Sequence, residues 1–458
     1  MATQQAVKRV GKDLTQGSIL KTLLVFAFPL ILTNLVQQLY STVDLIIIGR
    51  YAGSIGTVGV STGGELSDFM TPFAMAFSTA GQVYIAQLAG AKDDTRIKEA
   101  AGTLLTLLML LSFIFMAGSI VFYKPLLQLL NCPPEAFSQA SSYMIITAFG
   151  FPFIYGYNAV CALLRGMGES KRPLLFVSIA ATLNIFFDLL FVVVFKMEAA
   201  GTAIATVISQ MGSFFASFFF LYKKREQFGF QLKLSYFKIY PGPLRIMMRL
   251  GIPQFIRSMS VHFSMLWVKA HINSFGLVAS ATYSVGNKLE KNLNVFVNGI
   301  DGAAGAMIGQ NIGAKKLDRV VHTMWTTLAC ALCCAGVVAS LFWIIPKPLF
   351  RLFTTDEPVI EYGVTYLHIM SLACIFAAMA GTFKSIATGA GAAGLCFMIG
   401  ILDGICRIGA CLIFVALFNS GATDYFWGGV ACHVIPGLMC MVYFLSGKWR
   451  TKKLLSET

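Results

Sequence analysis

QLAGAKDDTR (residues 87–96) returns 223 positions later as QNIGAKKLDR (residues 310–319), with Gln, Gly, Ala, Lys and Arg at matching places. Upstream, GGELSD (63–68) matches GNKLEK (286–291) at the same offset, and Pro29 pairs with Pro253 at an offset of 224. Three matches in one order are the mark of an internal duplication. The chain therefore reads as two homologous halves, and the remaining question is what each half builds.

Composition answers part of it. Of 458 residues, 57% are hydrophobic and 12% are charged, where a soluble domain carries about 25% charged residues. Mean hydropathy is +0.72. A chain this apolar is an integral membrane protein, and the lipid bilayer is its first partner. A span needs roughly 20 apolar residues. Six such segments lie in the first half, near 22–49, 57–86, 101–123, 138–164, 174–196 and 200–222. Six more lie in the second, near 246–274, 279–309, 322–346, 362–388, 395–418 and 425–446. They are long and rich in Leu, Ala, Phe and Met, so they predict helices; a barrel would show short alternating strands.

The net charge of +14 would point to nucleic acid in a soluble protein. Here the Lys and Arg residues concentrate in short loops, where they set orientation, and no nucleic-acid partner is expected. One set of loops holds KRVGK, AKDDTRIK, RGMGESKR, KKREQFGFQLK, GAKKLDR and KWRTKK; the alternate set is poor in basic residues. The basic set predicts the cytoplasmic side, with both termini cytoplasmic. The first 20 residues show neither a short apolar core nor a small-residue cleavage motif, so no cleaved leader is expected. The domain reading is a first six-helix lobe over 1–222, a cytoplasmic linker over 223–243 and a second lobe over 244–458. The fold class is all-α integral membrane: twelve transmembrane helices in two homologous lobes, related by a pseudo-twofold axis along the membrane normal. Such a parallel repeat marks secondary transporters, with a binding cavity between lobes.

Polar residues inside the spans carry the chemistry. Charge at the bilayer centre costs about 2.5–3.5 kcal/mol on insertion scales and tends to mark functional sites. Asp44 sits within LYSTVDLIIIGR (39–50), and Asp188 within LNIFFDLLFVVVF. Asn184 precedes Asp188 by four residues, on the same helix face. Paired carboxylates with neutral oxygens nearby either take up a proton or hold a small hard cation, and both describe a coupling-ion site for Na+ or H+. No Lys or Arg lies deep in the spans of the first half to neutralise them.

The second half differs. At the repeat offset Glu65 becomes Lys288, Asp68 becomes Lys291, Asn184 becomes Arg407 and Asp188 becomes Cys411. Arg257, Lys269 and Lys384 are further basic residues within spans, with Glu290 and Asp403 as potential neutralisers. In the eighth segment Asn287, Lys291, Asn294, Asn298 and Asp301 recur at steps of four and three, a polar stripe on one face. Pro29 and Pro253 each remove a helical hydrogen bond and offer a hinge.

Nothing indicates an enzyme. The five histidines show no metal-ligand spacing, and the eleven cysteines lie singly or, as Cys330, Cys333 and Cys334, among small apolar residues. No cofactor or disulfide framework is expected.

The chain resembles the multidrug and toxic compound extrusion (MATE) family, in its prokaryotic DinF-like branch. The resemblance runs from about residue 15 to 446. It rests on the twelve segments in two repeats, on FPLILTNLVQQLYSTVDLIIIGR in the first, on the GAK loops, and on LLRGMGESKRP followed by NIFFD. It implies an antiporter that exports organic solutes or drugs in exchange for Na+ or H+ by rocking of two lobes. It also implies a first-lobe cation site of Asp44, Asn184, Asp188 and Thr206, with Tyr40, Tyr143 and Asn158 nearby and Pro29 as the kink in the first helix. The seventh and tenth segments contain no acid, so a second-lobe cation site is not expected from the family pattern. Arg257, Asn287, Lys288, Lys291, Asn294 and Arg407 make the second lobe a candidate cavity for anionic or zwitterionic small organic solutes. A lipid-linked saccharide flippase is the alternative. The expected setting is the bacterial plasma membrane, and the expected state is a monomer.

Overall fold

A computed structural model describes residues 11–51, 53–130, 132–224 and 237–451. All its regular structure is helical among the described residues. The helices are α1 (Ile19–Tyr51), α2 (Gly53–Ala91), α3 (Asp94–Leu129), α4 (Phe137–Ala148), α5 (Phe151–Gly166), α6 (Lys171–Asp188) and α7 (Glu198–Lys223). The second half holds α8 (Pro241–Asn273), α9 (Leu277–Gly313), α10 (Leu317–Ile344), the short α11 (Pro346–Arg351), α12 (Glu357–Gly389), α13 (Ala393–Phe418) and α14 (Ala422–Leu445).

Among the described residues eight helices are long and apolar enough to cross a membrane, or nine if the α4–α5 pair, bent by 44°, is one span. The other three are α2, α8 and α9, with 39, 33 and 37 residues. They have the length to span but are more polar or glycine-rich; counted with the others they are consistent with the twelve-helix architecture. Phe28, Phe219, Phe263, Val337, Leu417 and Val442 are each more than 60% exposed. Large apolar side chains facing outward at many points are what a lipid-facing surface requires.

The duplication is visible in the backbone. Lys92 (φ 59°) and Lys315 (φ 57°) are both left-handed, as are Gly168 and Gly391, Lys196 and Asn419, and Glu198 and Gly421. Each pair is 223 residues apart. The GAK loops thus end α2 and α9 with a Lys in the conformation that terminates helices at C′. After the first loop, the Asp93 carboxylate accepts a hydrogen bond from the Arg96 amide at 3.0 Å and caps α3.

The chain forms two compact units. One is Leu32–Gly251 with the described residues up to Asp13; the other is Leu14–Ile31 with the described residues from Ile252 onward. The change-overs fall inside α1, two residues after Pro29, and inside α8, two residues before Pro253. Most of the expected linker, residues 225–236, lies outside the described residues.

In the second unit the first half of α1 packs on α9. Leu23, Phe26, Ala27 and Leu30 share a core cluster with Ile300, Ala303, Ala304 and Met307. A Cβ on Gly299 would run into Ile31, so glycine there lets the two backbones approach closely. The second copy of the repeat motif holds the segment before α1. Gln310 accepts from the Leu14 amide at 3.0 Å, Lys316 donates to the Thr15 carbonyl at 2.9 Å, and Arg319 donates to the carbonyls of Gly17 and Gln16 at 2.7 and 2.8 Å.

Candidate ion and solute sites

In the first unit Asp44 lies in the second half of α1, while Asn184 and Asp188 occupy the last turns of α6. Asn184 and Asp188 are fully buried, at 1% and 0% exposure, and Asp44 is half-buried. The carboxyls of Asp44 and Asp188 are direct neighbours. With its nitrogen turned toward Asp44, the Asn184 amide donates to Asp44 Oδ1 at 2.6 Å and Oδ2 at 3.3 Å. One oxygen of Asp188 is buried without a hydrogen-bond partner. Ile47, Ile48 and Val192 are buried beside the group, with Val43, Val60 and Val193 packed around them.

Two carboxylates side by side among valines and isoleucines cannot both stay ionised without a counter-charge. Such a cluster can take up a proton or hold a small cation. All the oxygens it offers are hard, which suits H+ or Na+ and not a soft metal. Directly after Asp188 the helix widens into a π segment, Leu189–Val194. Such bulges recur at functional sites, and this one is not readable from a run of LLFVVV.

Tyr40 stands one turn before Asp44. Its hydroxyl is hydrogen-bonded with Gln210 of α7, and Tyr157 of α5 lies close by. Thr206 is half-buried one turn before Gln210, on the face of α7 that meets Tyr40. Tyr143 of α4 packs over Gly63 and Gly64 of α2. Asn158 donates to the Ile154 carbonyl of its own helix at 2.8 Å. The structure thus brings Asp44, Asn184 and Asp188 into one group with Tyr40 beside it, and sets Thr206, Tyr143 and Asn158 on the surrounding helices. Gln210 and Tyr157 were missed in the sequence because a lone polar residue in an apolar run carries no partner signal.

In the second unit the buried charge is more balanced than its basic sequence implies. Asp403 is 5% exposed and accepts from Lys384 at 3.3 Å and from Arg407 at 3.3 Å. Glu290 accepts from Asn294 at 3.5 Å and from the Tyr366 hydroxyl at 3.4 Å, with Arg407 near it. Asp301 accepts from Thr382 at 3.4 Å, with Lys384 near it. Two cations in this network face three carboxylates, so Arg407 adds no surplus positive charge.

The other basic candidates lie outside that network. Arg257 donates to Gln254 at 2.9 Å, and Lys288 sits over the Phe353 ring at 5.8 Å. Lys291 is exposed, and Asn287 is hydrogen-bonded with Tyr283. Among the described residues Arg257, Lys288 and Lys291 form no ion pair. Lys269 is exposed, whereas Lys384 is tied to Asp403 instead of reaching for the membrane surface.

The MatE family profile matches residues 29–190 and matches again over 253–413. The chain belongs to the MatE family. The two matches start 224 residues apart and end 223 apart, in step with the duplication. Among curated MatE relatives, a probable multidrug resistance protein, YpnP of Bacillus subtilis, is 27% identical over 97% of this chain and 99% of its own length. The probable multidrug resistance protein NorM of Thermotoga maritima is 23% identical over 96% of this chain and 95% of its own. A crystal structure of a MATE protein in the bent conformation superposes with a TM-score of 0.88 at 18% identity, covering 94% of this chain and 96% of that one. As a MatE protein with at least eight helices able to cross a membrane among the described residues, the chain is a multi-pass membrane protein.

Proposed function

We propose that the chain is a secondary antiporter of the plasma membrane, exporting organic solutes or drugs in exchange for Na+ or H+. The relatives are named probable multidrug resistance proteins and, at 21% identity, a multidrug export protein of Staphylococcus aureus, which supports export. The observation that carries the coupling half is the buried Asp44–Asn184–Asp188 group. In this reading, ion binding there changes the charge state of α1, and α1 pivots at Pro29 between packing arrangements. A bound ion shifts that equilibrium only by its difference in affinity for the two states, so the site must exist in a different form when the lobes rearrange. Both termini face the cytoplasm, and a single chain is the functional unit.

The solute reading is narrower. Arg257, Lys288 and Lys291, together with Asn287 and Asn294, favour anionic or zwitterionic solutes. Proteoliposomes with imposed Na+ or pH gradients, screened against anionic and cationic dyes, test both parts. The expected result is gradient-driven movement of the anionic dyes, weakened in Lys291→Ala. Robust transport of permanently cationic dyes, unchanged in Lys291→Ala, would overturn the solute reading while leaving the antiporter intact.

A further inference from the structure

The second unit carries a charged ladder that the first-lobe ion site does not use. Along it, Glu290 neighbours Arg407, Arg407 and Lys384 both bind Asp403, and Lys384 neighbours Asp301. From Glu290 to Asp301 on α9 is eleven residues, or about 16 Å of helix. Within the ladder three carboxylates face two cations, and the exposed Lys291 stands near the Glu290 end, so Asp301 is the end without a cation of its own.

The two end carboxylates are not equivalent. Glu290 has two hydrogen-bond donors, Tyr366 and Asn294, and two cations near it, Arg407 and Lys291. Asp301 has one donor, Thr382, at 3.4 Å, and one cation near it, Lys384, which is already paired with Asp403. Space for the Asp301 carboxyl exists because residue 381 is glycine; a Cβ there would overlap Asp301 Oδ2. The network also holds polar atoms that are not satisfied: Arg407 Nε and His433 Nδ1 are buried without partners.

We propose that Asp301 is a second proton-binding site of this protein, cradled by Gly381 and Thr382 and poised by the Lys384–Asp403 pair. From α12 the cation beside Asp301 is Lys384, which pairs with Asp403 of α13; Arg407 of α13 and His433 of α14 neighbour that pair and not Asp301 itself. α9 itself carries Glu290 and Lys291 about three turns earlier. α10 keeps its charged side chains, Asp318, Arg319 and His322, in its first two turns. The half of α1 that packs here brings Leu30 beside Gly302 and Ile31 against Gly299, both apolar.

That last contact gives the site a consequence. The glycines flanking Asp301 are where α1 docks immediately after Pro29. Loss or gain of charge at Asp301 therefore acts on the footing of the same helix that carries Asp44 in its other half. The seventh and tenth segments supply no acid, as their sequences show; the carboxylates come from α9 and α13 instead.

The site goes beyond the first-lobe reading and is tested apart from it. Infrared difference spectra between high and low pH, recorded on the full chain in lipid nanodiscs, report protonated carboxyls directly. The expected result is a protonated-carboxyl band that Asp301→Asn removes and that Asp44→Asn, Asp188→Asn and Glu290→Gln leave in place. Removing the nearby cation disfavours the carboxylate, so Lys384→Met moves the midpoint of that band upward by about 1–3 pH units. Thr382→Val moves it in the same direction by less. If Asp301→Asn does not fold, the two midpoint shifts decide the matter. A protonated-carboxyl spectrum unchanged by Asp301→Asn, or a midpoint unmoved in both Lys384→Met and Thr382→Val, would overturn the assignment.

Discussion

Replacing Asp403 by Asn should destabilise the second unit more than any other single change of charge. Asp403 is 5% exposed and is the shared acceptor of Lys384 and Arg407, each at 3.3 Å. A hydrogen bond to a charged group contributes about 1.5–3 kcal/mol. Removing one member of a buried ion pair costs about 3–5 kcal/mol, because the remaining charge has no compensation. Asn keeps one acceptor oxygen, and Asp301 and Glu290 stand near the released cations, so the lower end, about 3 kcal/mol, is the expected loss. For a cooperative unit of 150–250 residues this lowers the melting midpoint by roughly 6–12 °C.

The chain supplies its own reporter. Of its free cysteines Cys161, Cys374, Cys396, Cys411, Cys432 and Cys440 are buried, and all but Cys161 belong to the second unit. A thiol-reactive fluorophore followed through a thermal ramp therefore reads that unit's opening. Adding Lys384→Met to Asp403→Asn should recover part of the loss, since one stranded cation is gone. A midpoint for Asp403→Asn equal to wild type, or a double variant less stable than Asp403→Asn alone, would refute the account of a shared buried counter-ion.

Further outcomes follow from the packing and the repeat. Gly299→Leu should dislodge the first half of α1 at a cost of about 1–3 kcal/mol; a cysteine placed at Leu23, which is fully buried, should then become reactive to a water-soluble maleimide. Arg319→Ala removes two hydrogen bonds to the segment before α1, and hydrogen exchange at residues 14–18 should quicken by about tenfold or more. Lys92→Gly and Lys315→Gly relieve left-handed backbone at φ 59° and 57°, so each should raise stability by about 1 kcal/mol in the same melting assay.

The sequence made the fold legible because its signals are redundant. Twelve apolar segments, alternating loop charge and a repeat at one offset all lead to two six-helix lobes. The repeat reaches the level of single backbone conformations, as the left-handed pairs Lys196 with Asn419 and Glu198 with Gly421 show. Within the first-lobe group, Asn184 and Asp188 are linked by their spacing on one helix, but their neighbour Asp44 comes from a helix 140 positions earlier. Only the family resemblance joined it to them. The π segment after Asp188 and the approach of Gln210 to Tyr40 have no pattern that a sequence displays.

The second lobe shows the opposite limit. Arg407 and Asp403 are four apart and readable as a pair, but Lys384 reaches Asp403 from another helix. Counting basic residues along the chain therefore exaggerated the positive charge of the interior. Burial selects which charges matter, and Lys269 and Lys291 remain exposed while Lys384 and Arg407 are neutralised.

The central claim is that the Asp44–Asn184–Asp188 group binds the coupling ion. Its most direct test is export in proteoliposomes carrying an imposed Na+ or pH gradient, comparing wild type with Asp44→Asn and Asp188→Asn at equal folded amounts. The account predicts that each variant keeps downhill solute exchange and loses gradient-driven accumulation. Accumulation that still follows the imposed gradient in both variants would contradict it.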